Sequence, residues 1–129
     1  MEIAFTKSGG LVSAIVQDHG TGDVLMLGYM NAEALAETQG TREVVFFSRS
    51  RNRLWKKGES SGHVLKVREL LVDCDADALL VRVEAVGPGV CHEGYRSCFF
   101  RRMDGDGSIA VTAERTFSPG KVYGQENKR

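Results

Sequence analysis

The segment Asp73-Cys74-Asp75-Ala76-Asp77 places three carboxylates and one thiol within five residues. The sequences on either side, residues 64–72 and 79–86, are rich in β-branched and apolar residues, which predicts two strands joined as a hairpin with this acidic segment at the tip. If the tip is extended, the three aspartates share one face and Cys74 points to the other. Because oxygen ligands suit magnesium or calcium and sulfur ligands suit zinc, the segment predicts sites for two kinds of metal.

The same aspartates also resemble part of a calcium-binding EF-hand loop. Together with Glu84 they occupy positions 1, 3, 5 and 12 of such a loop, but the sixth position, where the loop needs glycine, is Ala78. The strand-like sequences on both sides also differ from the helices that an EF-hand requires. A calcium-binding structural protein that uses the acidic tip alone is nevertheless one alternative, and it predicts calcium binding without zinc.

The composition is that of an ordinary globular protein. The chain has 129 residues, of which 42% are hydrophobic and 26% charged, so we expect residues 1–129 to form one domain. Basic and acidic residues number 17 each, and no overall positive field is therefore present to hold a nucleic acid or an anionic membrane. No apolar run is long enough to span a bilayer and no leader pattern is visible, which predicts a cytoplasmic protein without a membrane partner.

The first half of the chain predicts further strands and one helix. Residues 11–17 and 24–27 indicate two strands separated by a polar turn. Asn31 stands at an N-cap position before a run of good helix formers, and Gly40 offers an end to that helix. Residues 44–47 then predict a buried strand.

A basic segment, residues 48–62, follows this strand. Its arginines alternate as they would along one edge of an extended segment, and guanidinium groups bind phosphate in a bidentate way. The tryptophan beside them suits stacking on a base, although a solvated basic edge strand with a core tryptophan is the alternative. The candidate substrate contacts are Arg49, Arg51, Arg53, Trp55, Lys57 and Glu59.

The chain has three cysteines, Cys74, Cys91 and Cys98, and all lie in one polar region. An odd number argues against a disulfide framework. Cys91 and Cys98 are too far apart for a C-x-x-C knuckle, and buried structural thiols are an alternative reading. Three thiolates would nevertheless match a catalytic zinc, which keeps three protein ligands and an open fourth position.

Several motifs together resemble the phosphoribosyl-AMP cyclohydrolases of histidine biosynthesis, over almost the whole chain. They are Gly28-Tyr-Met-Asn31, Ser48-Arg-Ser-Arg51, Leu54-Trp-Lys-Lys-Gly-Glu-Ser-Ser-Gly62, Asp73-Cys-Asp-Ala-Asp77, Cys91-His-Glu-Gly-Tyr-Arg-Ser-Cys-Phe99 and Val122-Tyr-Gly124. The resemblance implies a mainly β fold, a pseudo-barrel of two packed sheets with a short helix, in a homodimer. It implies hydrolysis of the N1–C6 bond of 1-(5-phosphoribosyl)-AMP, which gives a formimino-aminoimidazole carboxamide ribonucleotide. The length predicts the monofunctional form, without a fused pyrophosphate-hydrolysing domain.

The resemblance also implies the metal ligands. Asp73, Asp75 and Asp77 would bind Mg²⁺. Each subunit of the homodimer would have one Zn²⁺, bound by Cys74 of one chain and by Cys91 and Cys98 of the other. The spacing of the cysteines alone permits a site within one chain equally well.

The chemistry of the reaction agrees with these ligands. Ring opening requires hydroxide at C6 of the base, and zinc-activated water is a source of hydroxide near neutral pH. His92 adjoins a predicted ligand and can titrate near neutrality, so we expect it to shuttle the proton, although it could instead orient the loop. A zinc-stabilised nucleic-acid-binding module would use the same thiols and arginines, and the balanced net charge argues against this alternative.

Overall fold

The computed structural model describes residues 2–122, and its elements are mainly strands. In chain order they are a 3₁₀ helix (Phe5–Ser8), β1 (Val12–Asp18), β2 (Val24–Met30), α1 (Ala32–Thr41), β3 (Val45–Ser48), β4 (Arg53–Lys56), β5 (Leu65–Val72), β6 (Ala78–Ala85), β7 (Arg101–Met103), β8 (Ile109–Val111) and α2 (Pro119–Val122). Tyr123 and Gly124, which complete the last of the quoted motifs, lie outside the described residues.

The main sheet has four strands in the order β2-β1-β6-β5. β1 pairs antiparallel with β2 and parallel with β6, and β5 and β6 form the predicted antiparallel hairpin. Alternate residues of β1 and β6 face the core, because successive side chains of a strand point to opposite faces. The buried ones are Val12, Ala14, Val16, Leu79, Val81 and Val83.

A second sheet consists of the β3–β4 hairpin and packs against the first. The N–H of Val44 donates to the carbonyl of Leu65 at 3.0 Å, and Phe46 and Leu65 belong to the same buried core. The predicted fold class, mainly β with two packed sheets and a short helix, is therefore confirmed. No helix in the described part of the chain has both the length and the apolar character needed to cross a membrane.

The predicted helix is confirmed at its start and corrected at its end. The side chain of Asn31 accepts a hydrogen bond from the N–H of Ala34, as an N-cap does. The helix continues past Gly40 to Thr41, because the N–H of Arg42 closes one more turn by donating to the carbonyl of Thr38 at 2.9 Å. Arg42 itself, at φ 62°, adopts the left-handed conformation that glycine often supplies.

The basic segment is a hairpin turn rather than an extended edge. Ser48 pairs with Arg53, so residues 49–52 form the loop between β3 and β4 and Asn52 has a positive φ of 53°. The expected alternation of three arginines along one extended edge is therefore wrong. The reason is that the apolar residues on both sides pair with one another, which forces the polar residues between them to turn.

A third, two-stranded sheet is formed by β7 and β8, which are joined by a turn that contains Asp104-Gly-Asp-Gly107, a sequence typical of hairpin turns. This small sheet shows much apolar surface. Met103 is 70% exposed and Phe99, just before the sheet, is 61% exposed. Ile109 and Val111 are also exposed, so the hairpin has an apolar face toward solvent in the single chain.

A buried hydroxyl joins α1 to β3. Thr38 is fully buried, and its Oγ1 accepts a hydrogen bond from the N–H of Val45 at 3.0 Å. The same hydroxyl lies 2.9 Å from the carbonyl of Ala34 and 3.1 Å from that of Val45, to which it can donate. A buried N–H without a partner is costly, so this hydroxyl should contribute to stability.

We predict that Thr38→Val lowers the free energy of unfolding by about 1–3 kcal/mol, because valine keeps the volume but leaves the N–H of Val45 unsatisfied. Urea unfolding at a fixed protein concentration, followed by the fluorescence of Trp55, would measure it. Thr41→Val is the matched control, because the Thr41 hydroxyl makes the same kind of bonds, to the carbonyls of Glu37 and Glu43, at an exposed position. Equal losses in the two variants would contradict the prediction.

Candidate active site

A cavity of about 560 Å³ lies between the edge strand β2 and the β3–β4 hairpin. Its lining combines aromatic rings with hydroxyl and guanidinium donors. The lining residues are Leu27, Gly28, Tyr29, Phe46, Phe47, Ser48, Arg49, Ser50 and Trp55. Gly28 is needed at its position, because a Cβ there would lie 2.6 Å from atoms of the Phe46 ring.

Arg49 is held at the cavity by an aromatic face. Its guanidinium carbon lies 4.0 Å from the centre of the Tyr29 ring, within the range of a cation–π interaction. Arg49 is one of the predicted substrate contacts, whereas no role was predicted for Tyr29, although Tyr29 stands in the quoted Gly28-Tyr-Met-Asn31 motif. Their contact could not be read from the sequence, because Tyr29 is on β2 and Arg49 is in the turn after β3, with α1 between them.

A second, smaller cavity of about 170 Å³ adjoins the first. It is lined by Ser48, Ser50, Arg51, Arg53 and Trp55, so Trp55 contributes to both cavities. The Trp55 ring lies 5.5 Å from that of Phe46, centre to centre, at an angle of 36°. Four of the six predicted substrate contacts therefore line the two cavities.

The other two predicted contacts lie outside both linings. Lys57 is buried, and its Nζ lies 5.6 Å from the centre of the Trp55 ring. Glu59 is exposed in the turn after β4, where its N–H donates to the carbonyl of Lys56. The structure thus brings the arginines and Trp55 together and places Lys57 behind Trp55.

The acidic tip is a tight turn between β5 and β6, which corrects the expectation of an extended segment. Asp73 Oδ1 accepts hydrogen bonds from the N–H groups of Asp77 at 3.0 Å and Ala78 at 3.1 Å, and Ala76 has a positive φ of 62°. The turn nevertheless gathers the carboxylates of Asp73, Asp75 and Asp77, and one oxygen from each lies within 4.8 Å of those from the other two. Closely spaced carboxylates are the ligands that a hard divalent cation prefers.

Lys7 is the neighbour that the sequence analysis missed. Its Nζ lies 3.2 Å from Asp75 Oδ2 and 3.0 Å from Asp77 Oδ2. Hydrogen bonds to Asp77 and Asp75 raise the pKa of Lys7, and the hydrogen bond from Lys7 is the chief reason that the pKa of Asp75 lies below its usual value. No sequence signal indicates this contact, because 68 residues separate Lys7 from Asp75.

The three thiols are not brought together in one chain. Cys74 is exposed in the acidic turn, while Cys98 is exposed at the other end of the sheet, where its N–H donates to the carbonyl of Leu25 at 2.7 Å. Ser13 of β1 pairs with Tyr29 of β2 and with Ala78, which begins β6 directly after the acidic turn. Leu25 is about 13 Å from Tyr29 along β2, and β2 is about 10 Å from β6 across the sheet. Among residues 2–122, only the three aspartates form a group of three or more potential metal ligands.

The loop that bears the other two thiols is closely packed around Cys91. Cys91 is buried, and its N–H donates to the carbonyl of Tyr95 at 3.0 Å. The rings of Tyr95 and Phe100 stack with centres 3.7 Å apart. Arg115 lies over the first ring at 5.1 Å and Arg101 over the second at 4.3 Å. This four-layer stack fixes the loop and leaves Cys98 exposed and His92 half-buried.

An ion-pair cluster attaches the same loop to the β1–β2 turn. The guanidinium of Arg96 lies 3.0 Å from Asp18 Oδ2 and 2.6 Å from Asp23 Oδ2. Partial burial would raise the pKa of Asp18, but N–H donors of Thr21 and Gly20 together with Arg96 hold the pKa below its usual value. Arg96 therefore links the thiol loop to the end of β1.

Comparison with known sequences identifies the family. The sequence model of phosphoribosyl-AMP cyclohydrolase matches residues 26–100, more than half of the chain. The chain belongs to this family. A phosphoribosyl-AMP cyclohydrolase from Solibacter usitatus is 60% identical over 124 residues, covering 96% of this chain and 98% of that protein. Another, from Pelotomaculum thermopropionicum, is 58% identical and covers 92% of each chain. A third, from Rhodopseudomonas palustris, is 53% identical and covers 92% of this chain and 83% of that protein.

The part that matches the cyclohydrolase family contains most of the candidate site. Residues 26–100 include both cavities, the acidic turn and the thiol loop. Lys7 lies outside the matched part. The resemblance to this family that the sequence motifs indicated is therefore confirmed. The candidate residues lie in three separate places, which are the pair of cavities, the acidic turn and the thiol loop.

Proposed function

We propose that this protein hydrolyses the N1–C6 bond of 1-(5-phosphoribosyl)-AMP and gives a formimino-aminoimidazole carboxamide ribonucleotide. The observation that carries the proposal is the pair of adjoining cavities, in which aromatic rings and arginines converge in a member of the cyclohydrolase family. The substrate has one purine and two phosphates. Tyr29 and Trp55 offer ring faces for a base, and the arginines offer donors for phosphate at two neighbouring positions.

The arginines divide between the two cavities. Arg49 belongs to the larger one, while Arg51 and Arg53 belong to the smaller one. We assign one phosphate of the substrate to each cavity. The hydroxyl of Ser48 accepts from the N–H of Arg51 at 3.2 Å, which holds the loop in shape between the two cavities.

The three thiols fit zinc by their chemistry, since thiolate sulfur is a preferred zinc ligand. Sulfur atoms that share a zinc lie within about 4 Å of one another, whereas the backbone near Cys74 and that near Cys98 are about 16 Å apart in one chain. We therefore propose that each zinc site is shared between the two subunits of a homodimer. Cys74 would come from one subunit, and Cys91 and Cys98 from the other. Zinc held by these cysteines would supply a Lewis acid that makes water a better nucleophile near neutral pH.

Exposed apolar surface beside both groups of thiols supports the homodimer. Leu71 and Val72 precede the acidic turn and are 43% and 42% exposed. Phe99 follows Cys98 and is still more exposed. Burial of such surfaces in a two-fold interface would bring the acidic turn of one subunit to the thiol loop of the other.

The protein residues handle the proton in the proposed reaction. The oxygen of water joins C6, the C6–N1 bond breaks, N1 receives a proton, and the exocyclic amine remains as part of the carboxamide. We assign the proton transfer to His92, which adjoins Cys91 and is half-buried. Asp73, Asp75 and Asp77 are assigned to Mg²⁺ on the basis of their converging oxygens. The expected cytoplasmic location and the absence of a nucleic-acid partner stay predictions.

The test of the proposed function is an ultraviolet assay of purine ring opening, combined with metal analysis of the purified protein. We expect wild type to open the ring and to contain one zinc per subunit, and His92→Ala to keep the zinc but lose turnover, because a proton shuttle is not a ligand. His19→Ala, in the exposed β1–β2 turn, is the matched control and should retain activity. Absence of ring opening by wild type would overturn the function, and loss of zinc from His92→Ala would overturn the role of His92.

We predict that Arg49→Met raises KM for 1-(5-phosphoribosyl)-AMP by about 10- to 150-fold, because a charged hydrogen bond is worth roughly 1.5–3 kcal/mol. Steady-state kinetics would measure the change. Arg68→Met is a matched control, since Arg68 is an exposed arginine of β5 that lies 3.6 Å from Glu84 and lines neither cavity. If both variants keep the wild-type KM, Arg49 does not bind phosphate.

Subunit mixing tests the shared zinc site. Cys74→Ala and Cys91→Ala proteins, each inactive, would be unfolded and refolded together so that chains pair at random. With shared sites, half of the dimers are mixed and half of the sites in them are intact, so about a quarter of wild-type activity should return under this symmetry. With sites confined to one chain, every site carries one defect and no activity should return. Each variant refolded alone is the control.

A further inference from the structure

The carboxylates of the acidic turn already have a cation from the protein. The ammonium group of Lys7 lies within 3.2 Å of oxygens from both Asp75 and Asp77. Three carboxylates whose oxygens lie within 4.8 Å of one another repel each other, and a positive group between two of them reduces that repulsion. Lys7 therefore occupies the position at which the carboxylates would attract an incoming cation most strongly.

The position of Lys7 follows from the way the N-terminal segment is attached. Ile3 and Phe5 pack against the core, and the N–H of Ala4 donates to the carbonyl of Ala76, in the acidic turn itself, at 2.7 Å. Lys7 lies in the 3₁₀ helix Phe5–Ser8, and its side chain contacts Asp75 and Asp77 of the turn. This attachment holds the backbone of Lys7 beside the acidic turn.

An ammonium group and a magnesium ion cannot share these oxygens without repulsion. Mg²⁺ binds carboxylate oxygen at about 2.0–2.1 Å, and an ammonium 3.0–3.2 Å from the same oxygens would be only a few ångströms from the ion. Like charges at such a distance repel even when solvent screens them. The lysine side chain is about half exposed, so it can turn away into water when a divalent cation binds.

We propose that Lys7 is a built-in counterion that competes with Mg²⁺ for Asp75 and Asp77 and so sets the magnesium concentration at which the acidic turn is loaded. This inference rests on the proposed magnesium site. In the absence of the ion, Lys7 neutralises part of the acidic charge and keeps the turn in shape. On loading, the ion replaces the ammonium, and the side chain of Lys7 is released while the backbone bond from Ala4 to Ala76 remains.

Isothermal titration of the zinc-loaded full chain with MgCl₂ tests the competition directly. Lys7→Met keeps the length of the side chain without its charge, and it should lower the Kd for Mg²⁺ by about three- to fivefold, as expected for the loss of exposed competing ion pairs. Lys7→Arg keeps the charge and should stay within about twofold of wild type. Lys66→Met, which removes an exposed charge from the far part of β5, is the control for net charge and should also leave the Kd unchanged.

A second readout follows the lysine itself. Acylation of amines, mapped by peptide, should modify Lys7 faster when Mg²⁺ is added, while the rate at Lys66 in the same molecule should not change. If wild type binds Mg²⁺ but Lys7→Met has the same or a weaker affinity, the competition is refuted and the magnesium site stands. If neither wild type nor Lys7→Met binds Mg²⁺, the magnesium site of the proposed function fails and the inference fails with it.

Discussion

The parallel pairing of β1 with β6 is the constraint on which the arrangement of the candidate site depends. Ser13 to Asp18 pair in order with Ala78 to Val83, in the middle of the main sheet. The turn before β6 therefore lies at the beginning of β1, and the loop after β6 lies at the end of β1. This pairing places the acidic turn with Cys74 and the loop with Cys91 and Cys98 at opposite ends of the sheet.

Parallel strands cannot be joined by a tight turn, and the long connection between β1 and β6 contains the residues that line the two cavities. Between β2 and β5 the chain inserts α1 and the β3–β4 hairpin. Thr38 attaches the helix to β3, and Phe46 fits against the bare backbone of Gly28. The larger cavity then opens between this inserted hairpin and β2 at the edge of the main sheet, and the smaller one lies on the hairpin itself. The same connection that permits the parallel pair thus supplies the aromatic rings and the arginines.

The chain has equal numbers of acidic and basic residues, but they are concentrated on different parts of the surface. The carboxylates gather at the acidic turn, where Lys7 faces them, and the arginines gather at the β3–β4 turn. On the thiol loop, Arg96 is compensated by Asp18 and Asp23. The chain therefore has local acidic and basic surfaces without an overall field that would attract polyanions.

Local sequence patterns were enough to predict β1, β2, β3, β5 and β6, the start of the helix and the family. These patterns are the apolar residues around the acidic tip, Asn31 before helix formers, and motifs of fixed spacing. They did not determine the shape of the two functional turns. Each is imposed by the pairing of the strands beside it, as when Ser48 pairs with Arg53 and the N–H of Asp73 donates to the carbonyl of Ala78. Which distant groups meet and which are separated depends on how the strands pair and pack. Lys7 reaches Asp75 because the core holds the N-terminal segment, and Cys74 and Cys98 are far apart because the whole of β6 extends between them.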